Sequence, residues 1–174
     1  MTDDGGRFDP REFERDDRGR PIPTYEMAPT GPGAPAAIAQ RAAARLFDVF
    51  LVVFLPGSAL VGLFGERSGD DLRFPLWVLA LSILLAAAYE IVLTATRGAT
   101  LGKQLMGIRV VRHLDGGRPT WGMSAIRFLV PSVQYTTAPF FQLIALAIYL
   151  SAVLHPERRG LHDRASGTVV VRAR

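Results

Sequence analysis

The chain has 174 residues, of which 49% are hydrophobic, and carries a net charge of +4 at pH 7. It contains no cysteine, which excludes disulfides and thiolate metal sites. Its apolar residues lie in long blocks rather than at the period of 2 or 3.6 typical of a soluble core, so the sequence predicts a membrane protein. Basic loops on one side of a membrane explain the positive charge, and no nucleic-acid partner is predicted.

The first 36 residues are predicted to form a disordered polar tail. They hold six of the 12 prolines and a net charge of −3, and few of their side chains could pack in a core. They show no signal-peptide pattern. The tail is expected to be an inert leader or, alternatively, a docking arm, and the membrane domain is expected at 37–172.

Two apolar blocks predict membrane helices at about 37–64 and 75–96. A third block, 128–154, has no charged residue and is longer than one crossing requires. Pro131 and Pro139 flank a polar run that favours a turn. The predicted fold class is therefore an all-α polytopic membrane protein with four membrane segments: three full helices and a short or re-entrant one at 121–135.

Loop charges predict the orientation of these segments. The loop 97–119 and the C-terminal tail are rich in arginine, whereas 65–74 holds two arginines and three acids. The positive-inside rule then places both termini in the cytoplasm. Two β-branched runs on the same side, within 107–120 and 167–174, predict a small cytoplasmic β element, because each strand would cover an edge of the other.

Charged residues inside the apolar blocks predict a polar centre. Each such residue costs roughly 2.5–3.5 kcal/mol on insertion scales unless it is paired or hydrated. Asp48, Glu90 and Arg127 are expected at similar depth and are predicted to converge with Arg41. Arg45, three residues before Asp48, is its predicted partner within the helix. The cluster is expected to be an ion, proton or small-solute site, or alternatively an ion-pair network that fixes helix packing.

The remaining motifs give no catalytic or metal site. The segment 98–112 lacks the spacing of a phosphate-binding loop, and Lys103 is instead expected at the lipid headgroups. His155, His162 and Asp163 lack the spacing of a metal site, and Asp163 is expected to cap a helix or to pair with the basic loop. No catalytic constellation is present, so the sequence predicts neither an enzyme nor a cofactor or metal.

Three motifs in order resemble the RDD family of bacterial membrane proteins. They read RAAARLFD at 41–48, GATLGKQLMGIRVV at 98–111 and RRGLHDRASGTVVV at 158–171. The resemblance identifies Arg41, Asp48 and Asp163 as the residues that name the family. It implies an integral inner-membrane protein with cytoplasmic loops, and a transport role, with cation/proton antiport attributed to some members.

Two functions follow as expectations. The first is an ion, proton or small-solute transporter or transporter component; four short segments leave little room for alternating access, so a homo-oligomer or a membrane partner protein is expected to complete it. The second is a non-enzymatic membrane scaffold or assembly factor that binds partners through its basic cytoplasmic face. The lipid bilayer is the predicted surrounding in both cases.

Overall fold

A computed structural model describes residues 8–68, 71–73, 75–135 and 139–174 of the chain. Its helices are α1 (Ile38–Phe64), α2 (Leu76–Arg97), α3 (Leu101–Leu105), α4 (Trp121–Leu129), α5 (Pro139–Leu150) and α6 (Leu161–Ala165). Its strands are β1 (Glu66–Ser68), β2 (Asp71–Arg73), β3 (Ile108–Arg112) and β4 (Thr168–Arg172), and 3₁₀ turns cover Pro10–Glu12 and Val130–Tyr135.

The two long helices α1 and α2 match the two predicted apolar helices. Both are long and apolar enough to cross a membrane. Their most apolar stretches are only 6% and 17% buried, whereas the core helix of a soluble protein is mostly buried. Exposed apolar helices of this length are the expected form of bilayer-facing segments.

A π-helical turn, Phe50–Phe54, interrupts α1. The Leu55 N–H donates to the carbonyl of Phe50, five residues earlier. Pro56 follows directly, and a proline inside a helix lacks a donor and crowds the carbonyl four residues before it. The wider turn relieves that crowding, so the helix continues to Phe64 without ending at the proline.

The region predicted to cross twice contains shorter elements. Helix α4 and the 3₁₀ turn Val130–Tyr135 cover the segment predicted to be short or re-entrant. Helix α5 follows with 12 residues. Part of the predicted turn, 136–138, lies outside the described residues. Among the described residues two helices reach spanning length, so the count of four membrane segments stays a prediction.

The predicted β element is present at the end of α1 and α2 that carries residues 38 and 97. Strands β3 and β4 pair antiparallel, with Ile108 opposite Arg172 and Arg112 opposite Thr168. Val110 and Val170 lie opposite each other and are buried. We call this end of the molecule the sheet end. A second hairpin, β1–β2, joins α1 to α2 at the other end and was not predicted.

The structure differs from the prediction of a disordered tail for the described part of residues 1–36. The Ala36 N–H donates to the Val170 carbonyl at 3.0 Å, and the Arg172 N–H donates to Ala34 at 2.8 Å. Tyr25 and Met27 pack on the outer face of the sheet. The physical reason is the free edge and apolar face of β4, which need cover. Residues 1–7 lie outside the described residues.

Candidate functional site

Seven charged side chains meet at the sheet end, and we call them the polar cluster. Arg41, Arg45 and Asp48 come from α1, and Glu90 comes from α2. The other members are Lys103 of α3, Arg127 of α4 and Asp163 of α6. Three short elements thus bring charged side chains next to those of the two long helices. The cluster contains four cations and three carboxylates.

Asp163 is fully buried and binds two arginines. Its carboxylate accepts hydrogen bonds from Arg41 Nη1 at 3.1 Å and from Arg127 Nη1, and also from the Gly160 N–H at 3.2 Å. Burial by itself would raise the pKa of Asp163, but Arg127, His162 and Arg41 hold that pKa below its ordinary value. The carboxylate is therefore charged at neutral pH, and it caps α6 and bridges α1 to α4.

The two arginines also bind the sheet. Arg41 Nη2 donates to the Val170 carbonyl at 3.0 Å, and Arg127 Nη1 donates to Thr168 Oγ1 at 3.0 Å. Because Val170 and Thr168 both lie on β4, the network fixes the sheet against α1 and α4. Asp163 caps α6, which is one of the two roles expected for it, and it pairs with arginines of α1 and α4 rather than with the basic loop.

Asp48 is bound by neutral donors, and its predicted pairing with Arg45 is wrong. Its Oδ1 accepts hydrogen bonds from Tyr89 Oη at 2.7 Å and from the Gly102 N–H at 2.8 Å. Its Oδ2 accepts one from Thr100 Oγ1 at 2.6 Å. Both oxygens of the carboxylate are therefore hydrogen-bonded. These contacts join the first motif of the sequence to the second.

Glu90 pairs with Arg45 and Lys103, two cations that were predicted to lie elsewhere. Arg45 Nη1 donates to Glu90 Oε2 at 2.8 Å, and Lys103 Nζ lies 3.7 Å from Oε1. Arg45 also lies over the ring of Tyr149, 5.4 Å from its centre. Arg45 pairs with Glu90 because Tyr89, Thr100 and Gly102 already surround Asp48.

The position of Lys103 also differs from the prediction. Its side chain is only 12% exposed, so it lies inside the protein and not on the open surface where it was expected. The close approach of α3 to α1 carries it there, since a Cβ on Gly102 would lie 2.3 Å from the Ala44 carbonyl oxygen. Burial lowers the pKa of Lys103, and Glu90 opposes that shift.

A cavity of about 320 Å³ lies against the polar cluster. Its charged lining residues are Arg41, Arg45, Lys103, Arg127 and Glu90, and Tyr149 and His162 also line it. Burial lowers the pKa of His162 to about 4, so its imidazole is neutral at pH 7. The remaining lining is apolar and comes mainly from α1 and α5.

The polar cluster contains the four residues that were predicted to converge. Of these, Arg41, Glu90 and Arg127 line the cavity and Asp48 does not. Asp163 lies behind the two arginines that it binds. The cavity is also lined by Lys103, Tyr149 and His162, which were not predicted to lie there. One feature of the sequence could have singled out Lys103, because it is the only lysine among the 20 basic residues.

The described residues include no group of three or more histidine, cysteine or acidic side chains that could hold a metal ion. The chemistry of the site is therefore that of buried arginine, lysine and carboxylate groups beside an apolar space. Such a site can bind a charged group away from water, where ion pairs are stronger than at the surface.

Comparisons with known proteins match the chain to one family and to two bacterial proteins. The model of the RDD family matches residues 35–167. The chain is 31% identical to the uncharacterized protein YckC of Bacillus subtilis over 140 residues, which cover 80% of this chain and 85% of that relative. It is 30% identical to the uncharacterized protein RP437 of Rickettsia prowazekii over 103 residues, which cover 58% of this chain and 51% of that relative.

Proposed function

We propose that the chain, which belongs to the RDD family of membrane proteins, is a transporter or a transporter component. Its ion or small solute would bind in the cavity beside the polar cluster. The family match and the two exposed apolar helices support the membrane setting. The proposal further places the protein in the bacterial inner membrane as a multi-pass protein with both termini in the cytoplasm, in line with its basic loops.

The observation that carries the proposal is the charged cavity itself. An ion-pair network with a purely structural role needs no empty space, and interiors are packed to the density of organic crystals. Here about 320 Å³ remains open beside Arg45, Lys103 and Glu90. Ionisable groups at membrane depth that face a cavity commonly mark the route of an ion or solute.

The charge of the lining favours an anion over a cation. Four cations and one carboxylate line the cavity. The other two carboxylates of the polar cluster, Asp48 and Asp163, are held by their own donors. A sodium ion would therefore meet Glu90 alone and the repulsion of Arg45 and Lys103. Asp48, the carboxylate first expected to bind the ion, is assigned a positioning role for α3 instead.

A flux assay tests the proposal. The purified chain is reconstituted in liposomes, and the flux of protons, sodium and small anions such as chloride and phosphate is followed. Flux of an anion is expected, and Lys103→Gln should reduce it by about tenfold or more because the anion loses one of the cations that line the cavity. Arg109→Gln is the matched control, since Arg109 is exposed on β3 and does not line the cavity.

Gel filtration and thermal unfolding of each variant in detergent separate loss of transport from loss of fold. Flux that persists in a folded Lys103→Gln variant would remove Lys103 from the transport site. No flux of any ion from folded wild-type protein would overturn the transporter proposal. Because the expected path needs more helices than one chain supplies, cross-linking in the liposomes also tests for a homo-oligomer.

A scaffold role is the second candidate, and one observation favours it. Asp48 and Asp163 each have three protein donors or more, as a structural network requires. In that case the basic cytoplasmic face would bind a partner protein. The scaffold proposal expects wild-type protein without flux, and partner capture that fails when exposed arginines such as Arg109 and Arg164 are changed to glutamine. Capture that is unchanged in those variants would contradict it.

A further inference from the structure

The mouth of the cavity is apolar and exposed. Leu46 of α1 and Leu146 and Leu150 of α5 all line the cavity, and they are 72%, 52% and 51% exposed. Side chains of this kind on the surface of a membrane-spanning helix face lipid rather than water. The cavity thus opens sideways, between α1 and α5, towards the acyl region of the bilayer.

The inner end of the cavity holds a cation with an incomplete set of partners. Among the described residues, the single ion pair of Lys103 is with Glu90, and its 3.7 Å separation is longer than a hydrogen bond. Arg45 already donates to Glu90 at 2.8 Å. An ammonium group has three N–H donors, so the buried Lys103 is left without a close acceptor.

The net charge of the polar cluster also favours a bound anion. With Lys103 protonated, the polar cluster has four cations against three carboxylates, a net charge of +1. Arg41 Nε and Arg127 Nε are also buried without a hydrogen-bond partner in the described part of the chain. An anionic group beside Lys103 would neutralise the cluster and would favour the charged form of the lysine, which burial alone disfavours.

We infer that the cavity binds the headgroup of an anionic phospholipid, with the phosphate at Lys103 and the acyl chains along Leu46, Leu146 and Leu150. The volume supports a headgroup and not a whole lipid, because about 320 Å³ is near the lower end of the range for small-molecule pockets, roughly 300–1,000 Å³. The acyl chains then remain outside the mouth, in the bilayer. Tyr149 and His162 add polar groups beside the headgroup.

The apolar mouth distinguishes this ligand from a water-borne anion. A free phosphate has no group to pack on the exposed leucines, whereas the acyl chains of a lipid can bury them. A lipid in the same leaflet already has its acyl chains at that depth. This inference rests on the proposed function for the cavity as binding site, but it concerns occupancy and not translocation, so the two can fail separately.

The test is lipid retention by the full chain. Delipidated protein in detergent is mixed with phosphatidylglycerol and phosphatidylcholine of the same chain length, and bound lipid is counted by native mass spectrometry. One phosphatidylglycerol per chain is expected, in preference to phosphatidylcholine. Lys103→Gln should weaken its binding by about tenfold, as expected for one charge-assisted contact. Lys103→Arg should keep most of the binding, and Arg109→Gln, on exposed β3, should equal wild type.

Three results would overturn the inference. These are equal retention of the two lipids, unchanged retention in Lys103→Gln, and equal competition by free glycerol phosphate, which has the anion but no acyl chain. A Leu150→Asp variant keeps the test decisive if Lys103→Gln fails to fold, since a charge at the mouth should reduce retention by a similar factor. Retention without ion flux contradicts the transporter proposal alone, and flux without retention contradicts the lipid assignment alone.

Discussion

Arg41 and Asp163 are 122 residues apart in the sequence, and the Nη1 of Arg41 lies 3.1 Å from the Oδ2 of Asp163. This contact joins the first turns of α1 to α6, next to β4. The same carboxylate also binds Arg127. The first and third motifs of the sequence are thus two halves of one buried site, and the residues in it hold α1 and α4 on the sheet.

Asp163→Asn is expected to destabilise the protein strongly. The change leaves two buried guanidinium groups, those of Arg41 and Arg127, without their shared negative partner. Removal of one member of a buried ion pair typically costs about 3–5 kcal/mol. The unfolding midpoint of the detergent-solubilised protein measures the loss.

The matched control for that change is Asp115→Asn. Asp115 pairs with Arg112 in a turn on the protein surface. Exposed pairs contribute about 0–1 kcal/mol, so this variant should unfold close to wild type. Equal midpoints for the two variants would contradict a stabilising role for the buried site.

Gly102→Ala tests the approach of α3 to α1. A Cβ at Gly102 would lie 2.3 Å from the Ala44 carbonyl oxygen and 2.9 Å from Asp48 Oδ1. The backbone of α1 has little freedom to move, so overpacking should cost about 1–3 kcal/mol. Gly57→Ala is the control, because nothing lies within 4 Å of its added carbon. An unfolding midpoint of Gly102→Ala at or above that of Gly57→Ala would show that the two helices are not in close contact.

Much of the fold could be predicted from periodicity and composition. Hydropathy identified α1 and α2 because twenty apolar residues in succession have few alternatives to a membrane helix. The β-branched runs identified β3 and β4, since Val and Ile pack well on a pleated surface. All of these signals are local in sequence.

The partners inside the polar cluster could not be predicted in the same way. Arg45 lies three residues from Asp48, and local spacing favoured that pair. The structure instead gives Asp48 the hydroxyl of Thr100 and the N–H of Gly102, and gives Arg45 to Glu90. The choice depends on where α3 lies across α1, a tertiary contact that no pattern in α1 encodes. The N-terminal arm was missed for the same reason, because its partner is the edge of β4.

Thr100→Val tests the assignment of Asp48 to a positioning role. Thr100 Oγ1 donates to Asp48 Oδ2 at 2.6 Å in a buried setting. Valine has the same shape but no donor, so the carboxylate loses one hydrogen bond. A hydrogen bond to a charged group contributes about 1.5–3 kcal/mol, and the unfolding midpoint should fall accordingly. Thr96→Val, whose hydroxyl bonds to the Val92 carbonyl on an exposed helix face, should change little. Equal effects of the two variants would contradict the assignment.

The stability of the protein should fall as the pH falls from about 6.5 to 4. Burial lowers the pKa of His162 to about 4, and a histidine in the unfolded chain has a pKa of about 6.5. Between these values the unfolded state binds the proton and the folded state does not, so acid favours unfolding, by at most about 1.4 kcal/mol per pH unit for one group. Above pH 6.5 this contribution is constant.

His162→Gln should flatten that pH dependence. His113 also has a pKa lowered by burial and contributes with the same sign, so His113→Gln is the comparison. Asp163, whose pKa lies below that of an ordinary aspartate, acts below the window and does not enter. Unfolding midpoints at pH 4.5 and 7.5 measure the slope. A slope that is unchanged in His162→Gln would contradict a buried neutral imidazole at this position.

Deletion of residues 1–36 is expected to destabilise the sheet end. The segment supplies the hydrogen bonds from Ala36 to Val170 and from Arg172 to Ala34, and it covers Val171, which is fully buried. Without it β4 becomes an open edge with an apolar face, which favours aggregation as well as unfolding. Deletion of residues 1–7 is the control and should leave the midpoint unchanged. Gel filtration and thermal unfolding compare the two. If both deletions behave as wild type, the arm contributes no stability, and the docking role first considered for the tail becomes the better explanation of its presence.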